Sequence, residues 1–380
     1  MIVVRYIDEE NIKNKKVLLR CDFNVPIQNG IIKDETRIIK ALKTIEYLLE
    51  NNCAVILMSH FGRVKSREDK INNSLKLVAE KVGNLLGKDV KFMPEPVGMD
   101  VLSAACKLNY GELMMLENTR FCDYPENLES GNDLNLAKYW ASLADIFVVD
   151  AFATLHRCHA SVAGISKFIP TYYGFLVKEE MVNLAPTIDN IERPFGVFMG
   201  GAKVDDKLKY IKNVLKKCDY LFLGGGIANS FLYACGYDVL DSLYTKDEKI
   251  LKEIKVLYDE NKDKIIMPVD FVIEENKILD LNTKSIEKYL SYLKNCKTIF
   301  INGTCGKFED RRYANGTISL FKGLKDIDAI KIAGGGDTLN AINSFDLEES
   351  FTFLSSGGGA SLEYISSSAL KAVDFAKNNE

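Results

Sequence analysis

Met199 to Lys207 reads MGGAKVDDK, directly after an apolar run, Phe195 to Met199, that predicts a buried strand. Gly200 and Gly201 allow a tight turn where that strand ends. Lys203 and Lys207 stand four residues apart, so they share one face if a helix begins here. A strand that ends in glycines and opens a lysine-bearing helix is suited to phosphate, because the free amides and the dipole of a helix N-terminus favour an anion. An ordinary strand-to-helix turn with solvated lysines fits the same residues, so the reading depends on what surrounds them.

Around this stretch, apolar runs alternate with helical patterns for almost the whole chain. Before it, strands are expected at Val17 to Phe23, Ala54 to Ser59, Val90 to Met93, Leu113 to Glu117 and Ile146 to Phe152, with helices such as Arg37 to Asn51 and Ser74 to Leu86 between them. After it, strands are expected at Tyr220 to Leu223, Ile265 to Ile273, Thr298 to Ile301, Ile330 to Ala333 and Phe351 to Leu354. Helices are expected at Asp206 to Lys217, Ala228 to Cys235, Ser285 to Leu293 and Ala360 to Leu370. Such alternation predicts an α/β protein whose parallel sheets carry helices on both faces. The texture changes at Ile169 to Gly174, IPTYYG, and Val177 to Asn190 then reads as one helix; together they are expected to connect two domains.

A chain of 380 residues exceeds one typical core, which also favours two domains. The net charge of −4 gives no whole-chain basic field for nucleic acid. No apolar run approaches the roughly 20 residues that span a bilayer. The N-terminus lacks the apolar core of a signal peptide, and nine cysteines lie scattered without a CxxC pair. Reduced thiols and a cytoplasmic location are therefore expected.

Ligands of open parallel sheets bind at the carboxyl ends of the strands. In the first half those ends carry Asp22-Phe23-Asn24, His60-Phe61-Gly62-Arg63, Glu117-Asn118-Thr119-Arg120 and, after Asp150, His156-Arg157-Cys158-His159; Arg37 opens the first helix. Arginines recurring at successive strand ends predict a rim for a small, multiply charged anion, since guanidinium forks bind carboxylate and phosphate bidentately. Any one of them would by itself read as a surface ion pair. HRCH has a spacing open to metal ligation, but no further ligand motif completes a site. In the second half, Gly224-Gly225-Gly226, Gly334-Gly335-Gly336-Asp337-Thr338 and Ser356-Gly357-Gly358-Gly359 each join a strand to a helix, and Asn302-Gly303-Thr304-Cys305-Gly306 is followed by Glu309. Three glycine triplets at such junctions predict several anion-binding helix ends in one domain. Asp337 is a candidate ligand for Mg²⁺ held with a nucleotide, because that ion favours one or two carboxylates plus phosphate oxygens. The P-loop pattern GxxxxGK[ST] is absent, and GGGIANS is not the dinucleotide fingerprint.

RCDFNVP (Arg20 to Pro26), MSHFGR, LENTRF and DAFATLHRCHAS, then GGAKVDDK, GGGIANSF, NGTCGKFE, GGGDT and SSGGGASLE, follow one another in an order that resembles the phosphoglycerate kinase family over nearly the whole chain. The resemblance implies two Rossmann-like domains facing each other across a cleft and joined by an interdomain helix. It places a domain for 3-phosphoglycerate or 1,3-bisphosphoglycerate at residues 1–172, the hinge and helix at 173–193, a nucleotide domain for ADP or ATP with Mg²⁺ at 194–362, and a returning segment at 363–380. The acid-substrate residues would be Asp22, Asn24, Arg37, His60, Arg63, Arg120 and Arg157. The nucleotide residues would be Gly225, Gly226, Asn302, Glu309, Gly335, Gly336, Asp337 and Thr338. Arg37, Lys203, Lys207 and the amides of Gly357 and Gly358 would meet the phosphoryl group in transfer, Asp337 would hold the metal, and a monomer closing about a hinge is implied.

The chain departs from the family pattern in places. Thr304 replaces a proline, which predicts a looser nucleotide loop; Asp205 adds a negative charge beside the lysines; and LDLNTKS (Leu279 to Ser285) is altered and preceded by a shortened stretch. Besides an active kinase, these changes leave open a divergent homologue that binds 3-phosphoglycerate with little or no kinase activity. A kinase for another small carboxylate is a third reading.

Overall fold

The computed structural model describes residues 4–377. By its internal contacts the chain divides into two compact units, one running to Val182 and resuming at Ala369, the other Asn183–Ser368.

The strands of the first unit are Lys16–Cys21 (β1), Ile27–Gln28 (β2), Ile31–Ile32 (β3), Ala54–Met58 (β4), Val90–Phe92 (β5), Leu113–Met115 (β6), Ile146–Asp150 (β7) and Thr171–Tyr173 (β8). Six of them form one parallel sheet in the order β5-β6-β4-β1-β7-β8, and β2 and β3 make a short antiparallel hairpin. The strands β4 and β7 are buried along their whole length. Helices cover both faces of such a sheet, so residues of these central strands do not alternate out to water, and their sequence is apolar without a period of two. On one face Leu19, Leu57 and Val148 pack against Ile38, Ile45 and Val78 from the flanking helices.

The second unit contains Phe195–Met199 (β9), Tyr220–Leu223 (β10), Ile265–Ile266 (β11), Phe271–Glu274 (β12), Lys277–Leu281 (β13), Thr298–Asn302 (β14), Ile330–Gly334 (β15) and Phe353–Ser355 (β16). Its six-stranded parallel sheet has the order β11-β10-β9-β14-β15-β16, and β12 and β13 pair antiparallel beside it. The expected strand over 265–273 is thus broken in two, with Pro268, which cannot donate to a ladder, in the gap.

In each sheet the chain winds outward on one side of its first strand and then crosses to the other side. The reversal lies between β1 and β7 in one unit and between β9 and β14 in the other. A crevice forms at the carboxyl ends of such a pair, because the following connections leave in opposite directions.

Three expectations for the connecting regions change. Residues 171–173 are the edge strand β8, paired with β7, rather than linker; Pro170 precedes the strand, and its carbonyl accepts Phe147 N–H at 2.9 Å. The helix after it is Phe175–Leu184, followed by a 3₁₀ turn at Ala185–Thr187, because Pro186 lacks the amide an α-helix needs there. At the other end, Gly359–Ser367 is a helix of the second unit, and Ser368 leaves it in the left-handed conformation (φ 57°). The segment that rejoins the first unit therefore starts at residue 369 rather than 363. Its polar sequence forms the helix Lys371–Lys377, which buries Ala372, Val373 and Ala376; Ala372 N–H donates to Leu155 O at 3.0 Å.

Candidate active site

In the second unit the decisive turn follows β9. Gly200 N–H donates to Asn302 O at 2.8 Å, which draws the ends of β9 and β14 together. A Cβ on Gly200 would collide with the backbone of Thr304, so the close approach requires glycine. The helix begins only at Leu208. Lys207 precedes it, and Lys203 lies exposed in the turn, so their spacing of four does not place them on one helical face. Val204 and the turn at 205–207 intervene, and Val204 is buried beneath it. Lys207 instead folds back: its Nζ donates to Gly200 O at 2.7 Å and Asn302 Oδ1 at 2.6 Å. Burial pushes its pKa down to about 8, with the charge of Asp337 acting the other way.

Asn302 Nδ2 donates to Gly334 O at 2.7 Å, which ties β14 to β15. Thr338 is fully buried; its hydroxyl accepts Gly303 N–H at 2.7 Å and donates to Gly334 O at 3.0 Å. These two residues frame the loops. Gly335 precedes the helix Gly336–Ser344 with φ 113°, and Asp337 stands exposed in its first turn. Gly225 opens the helix Gly225–Ala234, but its own N–H is spent on Cys305 O at 2.9 Å. Gly357 N–H likewise reaches Ser355 Oγ at 3.2 Å, and Gly358 precedes the helix Gly359–Ser367 with φ 54°.

A cavity of about 340 Å³ lies beside this turn. Of the expected nucleotide residues, Gly225, Gly226, Glu309 and Asp337 line it. Asn302, Gly335, Gly336, Thr338 and both lysines do not. The rest of its wall includes Leu243, Ile278, Leu279 and Phe308, which sequence reading missed; Leu279 belonged to the altered LDLNTKS stretch, and none carries a charge to single it out. Apolar walls with a few polar groups suit a flat heterocycle whose charged end points to the glycine turns. Asp280, buried in the same wall, accepts Gly316 N–H at 2.6 Å and Leu281 N–H at 2.9 Å, and desolvation raises its pKa to about 7.

In the first unit the expected rim residues fall into connected groups. Asp22 Oδ2 accepts Arg37 Nη1 at 2.6 Å. Asn24 Oδ1 accepts Gly62 N–H at 3.0 Å, and Arg120 donates to Gly62 O, so one glycine joins β1, β4 and β6 ends. Asn118 holds the same loop through Phe61 N–H at 3.0 Å and Phe61 O at 2.7 Å. Arg63 stands exposed and lines a second cavity, of about 370 Å³, together with Arg120. Arg157, also exposed, sits near enough to His60 and Arg120 to act on their titration. Burial, then the charges of Arg20, Arg120 and Arg157, depress the His60 pKa well below the imidazole range. His159 is pushed down to about 3 by burial and then Arg157. Sequence reading missed Arg20, which is fully buried at the end of β1. Its signal was present: an arginine inside the otherwise apolar run VLLRC.

The phosphoglycerate kinase family model matches residues 7–368. The chain belongs to the phosphoglycerate kinase family. It is 42% identical to the phosphoglycerate kinase of Enterococcus faecalis over 388 residues, which covers 97% of each chain. It is 43% identical to that of Fusobacterium nucleatum over 397 residues, 98% of this chain and 99% of the relative. Among solved structures, phosphoglycerate kinase from Coxiella burnetii superposes with a TM-score of 0.87 at 31% identity, covering 99% of both chains. The Pyrococcus horikoshii enzyme gives 0.84 at 28% identity over 99% of this chain.

Two departures from the family pattern prove to be tied down. Thr304 is buried, its hydroxyl donates to Gly306 O at 3.0 Å, and the next amide, Cys305 N–H, donates to Thr317 Oγ1 at 3.0 Å. Asp205 accepts from Thr245 Oγ1 at 2.9 Å, which gives its added charge a partner of its own.

Proposed function

We propose that the chain is a phosphoglycerate kinase enzyme, moving a phosphoryl group reversibly between 1,3-bisphosphoglycerate and MgADP to give 3-phosphoglycerate and MgATP. The observation that carries the reading is family membership over nearly the whole chain, with phosphoglycerate kinases at 42–43% identity among its relatives. The acceptor from ATP is a carboxylate, already ionised near neutral pH, so no general base is needed. The work left to the protein is alignment and charge neutralisation.

The first unit takes the acid substrate. Arg63, Arg120 and Arg157 neutralise its phosphate, Asp22 and Asn24 hold the strand-end loops and the polar groups, and His60 donates a hydrogen bond. Arg37, oriented by Asp22, faces the carboxyl end. The second unit takes the nucleotide, its base against Leu279 and Phe308 and its sugar near Glu309. Gly225, Gly226, Gly335 and Gly336 let the backbone approach the phosphates, with Asn302 and Thr338 as supports. Lys203 and Lys207 neutralise the transferring group, aided by backbone at Gly357 and Gly358.

Asp337 fits a Mg²⁺ ligand: it is an exposed carboxylate at the cavity edge, in the first turn of a helix that follows a glycine loop. When bound with the nucleotide, the ion would offset phosphate charge. Substrates held by different units must be brought into line before transfer, so closure about the connecting segments belongs to the reaction. A monomeric, cytoplasmic enzyme without nucleic-acid or membrane partners is part of the same reading; among the described residues no helix is long and apolar enough to cross a membrane.

The test is steady-state turnover with 3-phosphoglycerate and MgATP, coupled to reduction of the acyl phosphate. A rate on the order of 10 to 10³ per second supports the kinase. No turnover from folded protein that still binds 3-phosphoglycerate would replace it with the binding-only homologue.

A further inference from the structure

Behind the rim of the first unit lies a buried polar chain. Glu129 is fully inaccessible. Its Oε2 accepts Ser161 N–H at 3.0 Å, and its Oε1 accepts Ser161 Oγ at 2.5 Å. Thr119 Oγ1 lies 3.5 Å and His159 Nδ1 3.8 Å from the same Oε1. Ser161 Oγ accepts Arg20 Nε at 3.0 Å, and Arg20 Nη2 meets His60 Nδ1 at 3.1 Å. Arg20 also donates to Cys21 O.

We infer that Glu129 is a positioning residue of the anion site: through Ser161 and Arg20 it holds His60 in the tautomer that carries its proton on Nε2. The inference rests on the phosphoglycerate kinase reading only for the ligand, since the tautomer follows from donor and acceptor counting. A guanidinium has five N–H donors and no acceptor, and it stays protonated. His60 Nδ1, facing one of those donors, must therefore accept. The ring is neutral, and its single proton sits on Nε2, ready to donate to an oxygen of an anionic ligand.

This arrangement needs Glu129. Arg20 is buried among cations: Arg120 and Arg157 lie close enough to oppose its charge, while Glu129 and Asp22 favour it. Ser161 has one proton to give and gives it to Glu129, which leaves its lone pairs toward Arg20. Without the carboxylate the hydroxyl is free to rotate, and the guanidinium loses the larger of its two buried counter-charges, keeping only Asp22. The groups that face His60 all push toward the neutral ring: Arg20 on β1, Arg120 after β6, and Arg157 and His159 in the loop after β7.

The test is nitrogen-15 NMR of the imidazole rings in the full chain, which has three histidines, with His60→Gln identifying the His60 signals. The expected wild-type pattern is a protonated Nε2 and a bare Nδ1 from pH 8 down to pH 6. In Glu129→Gln, and in the milder Ser161→Ala should the first not fold, this pattern is lost, and 3-phosphoglycerate affinity by calorimetry falls about tenfold, the size expected for a hydrogen bond to a charged group. A wild-type His60 protonated on Nδ1, or on both nitrogens at pH 6, overturns the inference. So does either folded variant that keeps both the wild-type ring pattern and the wild-type affinity. Absence of kinase turnover in the wild type would sink the functional reading alone, because the ring signals do not depend on turnover.

Discussion

At Lys207 charge and burial pull against each other. Its ammonium is held by one carbonyl and one amide oxygen, with no carboxylate among the described residues within ion-pair distance, and desolvation lowers its pKa to about 8 against the more distant charge of Asp337. In the proposed reaction such a cation would meet the phosphoryl group, whose charge would replace the water it has lost. Lys207→Ala should cut kcat by roughly 10²- to 10³-fold and leave calorimetric 3-phosphoglycerate binding intact. Undiminished turnover would remove Lys207 from the transfer step. The pH dependence has a definite sign. In the free enzyme the charged form is lost as pH rises through about 8, so kcat/KM for MgATP should fall on that limb. Lys207→Arg, whose guanidinium stays charged, should abolish the limb even if it turns over more slowly. The presence of a lysine here was legible in MGGAKVDDK. Its depressed pKa was not, because that depends on the side chain folding back onto Gly200 and Asn302, about a hundred positions apart in sequence.

At the scale of elements, the helix Asn315–Gly323 shows how one buried carboxylate joins two pieces of chain. Its N-terminal residue before the first turn is Ala314, which has no side-chain cap. Asp280, at the end of β13, supplies the missing acceptor to Gly316 N–H while also holding Leu281 N–H. Asp280→Ala leaves both amides unpaired in the interior and should cost about 2 kcal/mol, seen as a lower urea midpoint for the second unit. Its folded pKa, raised from 3.8 to about 7, means the folded state keeps a proton the unfolded chain releases. The stability it contributes is present below the ordinary carboxyl range and lost as pH rises toward 7. Asp280→Asn should flatten that part of the stability–pH curve, and an unchanged slope would assign it to another group. The strand runs themselves were legible, since β9 and β10 are continuous apolar runs with the expected ends. The sequence did not disclose β8 or the break between β11 and β12. Each strand is only two to four residues long, so its apolar run is too short to show a period; Pro170 precedes β8 and Pro268 lies in the gap between β11 and β12.

For the whole molecule, the chain's return from the second unit to the first is the feature with the widest consequence. Leu370, Ala372, Val373 and Ala376 are buried in the first unit, and Ala372 occupies the carbonyl of Leu155, one residue before His156. Ending the chain at Ser368 should raise hydrogen exchange around 152–161 and weaken 3-phosphoglycerate binding, while protection in the second unit and nucleotide affinity stay as they were. Equal loss of protection in both units would show that the returning helix supports more than its own unit.

The sequence alone determined the two doubly wound halves, because strands buried on both faces must be apolar throughout and glycines must stand where backbone meets backbone. It also determined much of the inventory of charges, since Arg63, Arg120 and Arg157 each come after a strand and so fall on the carboxyl edge of the sheet. Only the tertiary structure decided which of those groups are tied into the frame and which stay exposed. Asn302 and Thr338 spend their polar atoms on neighbouring loops, Arg20 comes to lie behind His60, and Glu129, unremarkable in LESGND, becomes one of its buried counter-charges. Hydrogen-bond partners and desolvation are set by residues distant in sequence, and they fix protonation and orientation where composition fixes only residue type.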